Sequence, residues 1–315
     1  MNEIINSQEA IEEELTYALV KIRVQQLLVN QLYLAGRFKI PIHLALGHEH
    51  LALSLAKAKN EGDEIVLSHR NLHYQLALGG NLSEIVKEFF LHEDGLANGR
   101  YGSMNLINPN RNIIYTSSIL GNNLSVAVGI AFGQKISNQE NVTWVVTGDG
   151  AIEEGAFAES LLLSKSIKSP LIIIIEDNEW SLGTKISERR SPIDLENLAK
   201  AYGAEYVLCD GKSLIDSVNK YKEARTLAVM LNSPVIIHST VTTLGGRWIE
   251  DTNLPNGKRY INYHAGPAQG LKENIFDNLV LNEDDLLEKR MSNLRSIDKI
   301  SELIESLSEE LSWTT

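Results

Sequence analysis

Cys209 is the only cysteine in 315 residues, so no internal disulfide can form and a reducing compartment is expected. Basic residues are also few. With 29 Lys and Arg against 41 Asp and Glu, the net charge of −12 argues against general nucleic-acid binding and against attraction to an anionic membrane. No apolar run approaches the roughly 20 residues that cross a bilayer. The first residues, MNEIINSQEAIEEEL, lack the basic and apolar segments of a signal peptide, so cytoplasm is the expected compartment. Familiar site motifs are missing too. GDGAIE lacks the third glycine of a dinucleotide fingerprint, and neither a phosphate-binding G-x-x-x-x-G-K-[ST] nor a zinc-binding H-E-x-x-H occurs. His48 and His50, two apart on a helix, diverge, and the His69/His73 pair lacks a third metal ligand.

What is present is a regular alternation of strand and helix. A helix is expected from Gln8 to Leu34, with Ser7 as its cap and Gly36 closing it. Another begins in the Gly47-His48-Glu49 turn, and Glu64–Ser68 reads as a strand. Residues 92–123, rich in Gly, Asn and Ser, read as one long loop, either functional or disordered, followed by a closely packed helix over Leu124–Gly133. Further on come helix Ile193–Tyr202, strand Glu205–Leu208, helix Ser213–Leu231 and strand Pro234–Ser239. Residues 240–270 are irregular, and Glu283–Leu311 is a charged helical pattern. This predicts an α/β fold: a doubly wound, mostly parallel sheet with helices on both faces and helical N- and C-terminal extensions. A main domain is expected over 1–270 and a helical arm over 271–315.

The chemistry concentrates between Val142 and Thr184. Val142–Thr147 is a β-branched run of the kind that forms a buried strand, ending in Gly148-Asp149-Gly150. A helical pattern follows from Glu153 to Ile167, then a second buried strand, Leu171–Ile175, which delivers Glu176-Asp177-Asn178. Magnesium takes near-octahedral oxygen coordination shared with substrate phosphates. Asp149, Asn178 and the carbonyl of Trp180 offer three oxygens, while the glycines and the helix N-terminus offer N–H groups to a diphosphate. An isolated Gly-Asp-Gly reads equally well as a turn whose Asp149 caps the next helix.

Gly148-Asp149-Gly150, followed after 27 residues by Asn178, resembles the thiamine diphosphate motif. The surrounding GDGAIEEGAFAESLLLSKSIKSPLIIIIEDNEWSLGT is similar to the alpha subunit of the dehydrogenase (first) component of 2-oxo acid dehydrogenase complexes, the pyruvate, branched-chain and acetoin branch. His43-Leu44 with Gly47-His48-Glu49 resembles that family's His-Leu…Gly-Gln-Glu segment, and Ser68-His69-Arg70 with His73 its Tyr/His-Arg…His segment. Gly99-Arg100-Tyr101-Gly102-Ser103-Met104 and Ile119-Leu120-Gly121 match two further motifs, so that the similarity runs from about residue 10 to 240.

The resemblance implies roles by position. Asp149, Asn178 and the Trp180 carbonyl would hold Mg2+. Gly148, Gly150, Ala151 and Arg70 would contact the diphosphate of thiamine diphosphate, an arginine fork suiting that anion. Leu120 would meet the aminopyrimidine, and Leu182 would be the apolar wedge that bends the cofactor. His43, His69, His73 and His264 are the catalytic and substrate-channel candidates, although each histidine alone fits a hydrogen-bonded structural role as well. The implied reaction is decarboxylation of a 2-oxo acid and transfer of the acyl group to an acceptor such as the lipoyl group of an acyltransferase. The implied partner is a beta-type subunit that supplies the activating glutamate, in an α2β2 assembly.

Two segments depart from the family. Asn105 stands where a histidine follows Gly-Ser-Met, and an amide cannot act as an acid or base near neutral pH. TVTTLGGRWIEDTNLPNGKRYINYHAGPAQG replaces the Tyr-Arg-x-His-Gly-His-Ser segment and, around Tyr263-His264-Ala265-Gly266, is more similar to transketolases. A two-subunit transketolase-like or carboligase enzyme passing a ketol or acyl unit from a ketose to an aldehyde is therefore the second reading. A non-catalytic regulatory subunit is the third, and the intact Asp149/Asn178 pair counts against it.

Overall fold

The computed structural model describes residues 2–137, 140–211, 213–253, 255–269, 271, 275–279 and 297–314. The apolar β-branched runs form six parallel strands: β1 (Glu64–Ser68), β2 (Ile113–Ser117), β3 (Thr143–Gly148), β4 (Leu171–Asp177), β7 (Glu205–Cys209) and β8 (Val235–Thr240). Their order across the sheet is β2-β1-β3-β4-β8-β7. Because side chains alternate along a strand, each strand feeds two cores. Ile172 and Ile174 of β4 join Trp144, Val146, Ile65 and Leu67 on one face, while Ile173 and Ile175 join Val145 and Val66 on the other. Both faces are covered, which is why LIIII reads as an unbroken apolar run instead of an alternating one.

The helices supply the covers. On the first face lie α2 (Glu49–Ala58) and the long helix Leu214–Leu231, through Leu51, Leu55, Tyr221 and Ala224. On the second lie α5 (Asn122–Ile136) and α6 (Gly155–Ile167), through Leu124, Ala127, Phe157 and Leu161. A third apolar cluster packs α1 (Asn2–Leu34) against the short helices α3 (Leu72–Ala77) and α4 (Leu82–Phe89) and against Ile300, Leu307 and Leu311 near the end of the chain. The mostly parallel α/β architecture thus matches the expectation.

Several local expectations need correction. α1 already runs from Asn2, so Ser7 lies inside the helix and does not cap it. The region 92–123 is not one loop, since it contains the edge strand β2. Its five-residue length and partly exposed pattern hide that strand among the glycines and asparagines. The helix after Gly148-Asp149-Gly150 starts at Gly155, after a short 3-10 turn over Ala151–Glu153. Residues 240–270 include a hairpin of Arg247–Glu250 with Lys258–Ile261. The helix expected from Glu283 is described over Ile297–Glu310, and 283–296 lie outside the described residues.

Two buried carboxylates hold the sheet's neighbours in place. Glu49 accepts from the Arg23 guanidinium, from Gln26 and from the Gly47 N–H. Glu88 accepts the N–H groups of Ala97, Gly99, Tyr101 and Gly102 at 2.8–3.0 Å, and so fixes the Gly-Arg-Tyr-Gly-Ser-Met loop. The helix carrying Glu88 has its own cap, the Asn81 oxygen accepting from Glu84 N at 2.9 Å. Asn81→Ala is expected to cost about 1 kcal/mol in urea unfolding, the usual price of an N-cap.

Candidate active site

From β1 the chain moves outward to β2 and then returns to β3 on the other side of β1, so the winding direction reverses between β1 and β3. Ligands of doubly wound sheets bind in the crevice beyond the strand carboxyl ends at such a reversal. There a cleft of about 330 Å³ opens, formed by the segments that leave β1, β3 and β4 and by the turn before α5. It brings together residues far apart in sequence: His43, His69, Arg70, Leu120, Gly148, Asp149, Gly150, Ala151, Asn178, Trp180, Leu182 and His264 all line it.

At one end stand the expected metal and diphosphate groups. Asp149 follows β3 directly and is buried; burial pushes its carboxyl up to about 6, against the pull of Arg189, whose Nη2 donates to Oδ2 at 2.8 Å. Asn178 follows β4. Its Oδ1 accepts from Trp180 N at 3.0 Å, and its Nδ2 donates to Thr243 Oγ1 at 2.7 Å. β4 contributes five fully buried Leu and Ile side chains, each worth roughly 1.5–3 kcal/mol, so Asn178 follows a firmly packed strand. The following rim, β5 (Trp180–Ser181) and β6 (Thr184–Lys185), is a two-residue hairpin with far less to hold it. On that rim Leu182 is left-handed (φ 55°) and 65% exposed, an unusual state for leucine that leaves an apolar side chain at the cleft mouth.

This end fits a metal-bound diphosphate. A Cβ on Gly150 would come within 2.6 Å of Ser181 Oγ, so glycine lets the Trp180–Ser181 rim close over the turn. A Cβ on Gly148 would meet nothing within 4 Å and would fill cleft space. Arg70 is buried. Its guanidinium lies toward the histidine end of the cleft, donating to the carbonyls of Leu44 and His264, and among the described residues it forms no ion pair. A buried cation facing a cleft without a carboxylate partner is suited to an anionic ligand.

At the other end, His43, His69 and His264 come together, with ring nitrogens within 4.8 Å of one another. Burial, reinforced by the neighbouring imidazoles and Arg70, lowers His43 to about 2; burial and Arg70 lower His69 and His264 to about 4. All three are neutral near pH 7, giving a polar wall of uncharged donors and acceptors. The adjacent guanidinium makes this wall a poor cation site.

His73 is placed differently from expectation. It is fully buried and lies outside the cleft lining, donating from Nε2 to Glu176 Oε1 at 3.2 Å. Glu176 also binds His48 and the Tyr74 hydroxyl. Burial raises its pKa, but His48 and His73 beside it hold it well below the usual carboxylate range. Sequence reasoning missed Glu176, His48, Thr243 and Arg189 at this site. Glu176 stands two residues before Asn178, and His48 and Thr243 lie in segments that depart from the family, but nothing local ties them to Asn178.

A family model described as "Dehydrogenase E1 component" matches residues 21–294. Among curated relatives, the chain is 26% identical over 264 residues to the mitochondrial pyruvate dehydrogenase E1 component subunit alpha of Dictyostelium discoideum, covering 82% of this chain and 69% of that protein. It is 25% identical over 274 residues to the corresponding subunit of Rickettsia prowazekii (strain Madrid E), covering 86% and 84%. In fold it is similar to a transketolase mutant of Pichia stipitis (TM-score 0.59, 17% identity) and to the transketolase of Leishmania mexicana (TM-score 0.56, 14% identity). These alignments cover 96% of this chain but 46% and 47% of the transketolase chains, so the chain spans about half their length.

Proposed function

The chain belongs to the dehydrogenase E1 component family, and we propose that it is the alpha subunit of a thiamine diphosphate- and Mg2+-dependent enzyme that decarboxylates a 2-oxo acid and passes the acyl group to an acceptor such as a lipoyl group. The observation that carries this reading is the meeting, at the winding reversal of the sheet, of Asp149, Asn178 and the buried Arg70, which forms no ion pair among the described residues. Asp149, the Asn178 amide and the Trp180 carbonyl would hold Mg2+, with Arg70 and the Gly150 and Ala151 N–H groups on the diphosphate. Leu182 and Leu120 would bracket the cofactor's rings. When bound, thiamine diphosphate supplies the electron sink for the pair left by departing carbon dioxide. This chain's part is to place and neutralise the diphosphate, to exclude water with the Leu182 rim, and to orient substrate with His43, His69 and His264. The activating glutamate would come from a beta-type subunit in an α2β2 assembly, with a lipoyl acyltransferase as a further partner.

One observation favours a second reading. The three neutral imidazoles, with Ser68 and Ser117, make the substrate end of the cleft polar, which suits a hydroxylated ketose better than an apolar 2-oxo acid. The deciding assay mixes the purified chain with its beta partner and offers a panel of 2-oxo acids and a ketose phosphate with an artificial electron acceptor. Decarboxylation that needs both chains is the expected result. Full activity from this chain alone would overturn the subunit proposal, and turnover of the ketose alone would replace the first reading with the transketolase-like one.

A further inference from the structure

We infer that His48 and Thr243 act together as positioning residues that fix the amide of Asn178. The inference rests on the reading of Asp149 and Asn178 as a metal–diphosphate site. Both residues fall where the sequence departs from its family: His48 replaces the middle residue of Gly-Gln-Glu, and Thr243 lies within the divergent segment after Thr240. They are 195 residues apart in sequence, yet His48 Nε2 lies 2.8 Å from Thr243 Oγ1. The two departures are one contact.

The direction of the hydrogen bonds follows from the groups involved. A carboxamide nitrogen only donates, so Thr243 Oγ1 accepts from Asn178 Nδ2 at 2.7 Å. The threonine's own hydrogen is then available to His48 Nε2, which leaves the imidazole hydrogen on Nδ1. That nitrogen lies 3.0 Å from Glu176 Oε2, and Glu176 takes further bonds from Tyr74 at 2.7 Å and His73 at 3.2 Å. Along the series Glu176, His48, Thr243, Asn178 every donor meets an acceptor. Turning the amide around would reverse each bond and leave a bare imidazole nitrogen facing the Glu176 carboxylate. It would also remove the acceptor that Trp180 N uses, 3.0 Å from Asn178 Oδ1. His48, Glu176 and Thr243 are 1%, 7% and 4% exposed, so water cannot readily take over their bonds.

Partners of this kind around a metal ligand typically change metal affinity tenfold to a hundredfold when removed. The test titrates Mn2+ into the assembled enzyme with thiamine diphosphate present, by calorimetry, for wild type, Thr243→Val, His48→Leu, His48→Gln and the Thr243→Val/His48→Leu double variant. Thr243→Val and His48→Leu should each weaken Mn2+ by about tenfold or more, and the double variant should lose little beyond either, because the bonds form one series. His48→Gln should recover most of the affinity, since its amide can donate to Glu176 and accept from Thr243. Unchanged Mn2+ affinity in Thr243→Val, or fully additive losses in the double variant, would overturn the inference while leaving the site reading intact. Failure of the wild type to bind Mn2+ with thiamine diphosphate would overturn the site reading itself.

Discussion

Asp149→Ala is expected to leave a folded chain that no longer binds thiamine diphosphate with magnesium and has lost at least about a thousandfold in activity. A metal clamp on a diphosphate is worth several kcal/mol, and each 1.36 kcal/mol is a factor of ten, which together give a loss of that order. Folding should survive because Asp149 is an unfavourable residue in the ligand-free protein. Burial already pushes its carboxyl up to about 6, and alanine removes that buried acid. Its partner Arg189 is not stranded, since Nε keeps Glu153 at 2.7 Å and Nη1 keeps the Thr184 carbonyl at 3.1 Å. The two effects separate in a thermal unfolding series with and without cofactor and Mg2+. The ligand-free midpoint should match or exceed wild type, and the rise that ligand produces in wild type should vanish. Asp149→Asn, which keeps an oxygen but not the charge, should fall between. If Asp149→Ala keeps the ligand-induced rise, the metal does not sit on this residue.

Asp149 and Asn178 were legible in the sequence because both follow strands whose burial is written in local composition. VTWVVTG and LIIIIED need no distant information to be read as strands, and the spacing between the two ligands then follows from one strand–helix–strand unit. Their surroundings were not legible, because contact across the fold leaves no local trace. Arg189 reaches Asp149 from 40 residues away, Thr243 reaches Asn178 from 65, and Glu176 meets His48 from 128. Only one of two closely spaced histidines lies on a helix, His73 in α3. His69 and His73 are four apart, yet His69 faces the cleft beside His43 and His264 while His73 turns inward to Glu176. β2 was hidden for a related reason: a short edge strand buries too little to stamp a periodicity on its residues.

Acidification from pH 7 to pH 5 is expected to remove roughly 4 kcal/mol or more of folding stability, most of it lost below pH 6.5. The cause is the set of histidines that fold neutral. Burial, with the neighbouring imidazoles and Arg70, lowers His43 to about 2; burial and His48 lower His50 to about 4; His69 and His264 also fall to about 4. An unfolded histidine titrates near 6.5, so between that value and the folded one the unfolded chain binds more protons. Stability therefore rises with pH through this window and is lost as pH falls through it. At pH 5 the two buried ones, His43 and His50, each account for about 2 kcal/mol. His69 and His264 are half-buried and open to the cleft, so solvent screening makes their share smaller. Asp149 works in the opposite direction. Its folded carboxyl keeps its proton up to about 6, so it returns roughly 1 kcal/mol at pH 5, too little to offset the histidines. Typical domains hold on the order of 5–15 kcal/mol, so the loss brings the chain close to acid unfolding under conditions where most carboxylates are still ionised. Urea unfolding at pH 7.5, 6.5, 5.5 and 5.0 measures it directly, and His50→Gln should flatten the slope by the share of one proton. Stability that stays level between pH 7 and 5 would mean that these imidazoles are not held neutral, and the uncharged polar wall assigned to the substrate would have to be given up with them.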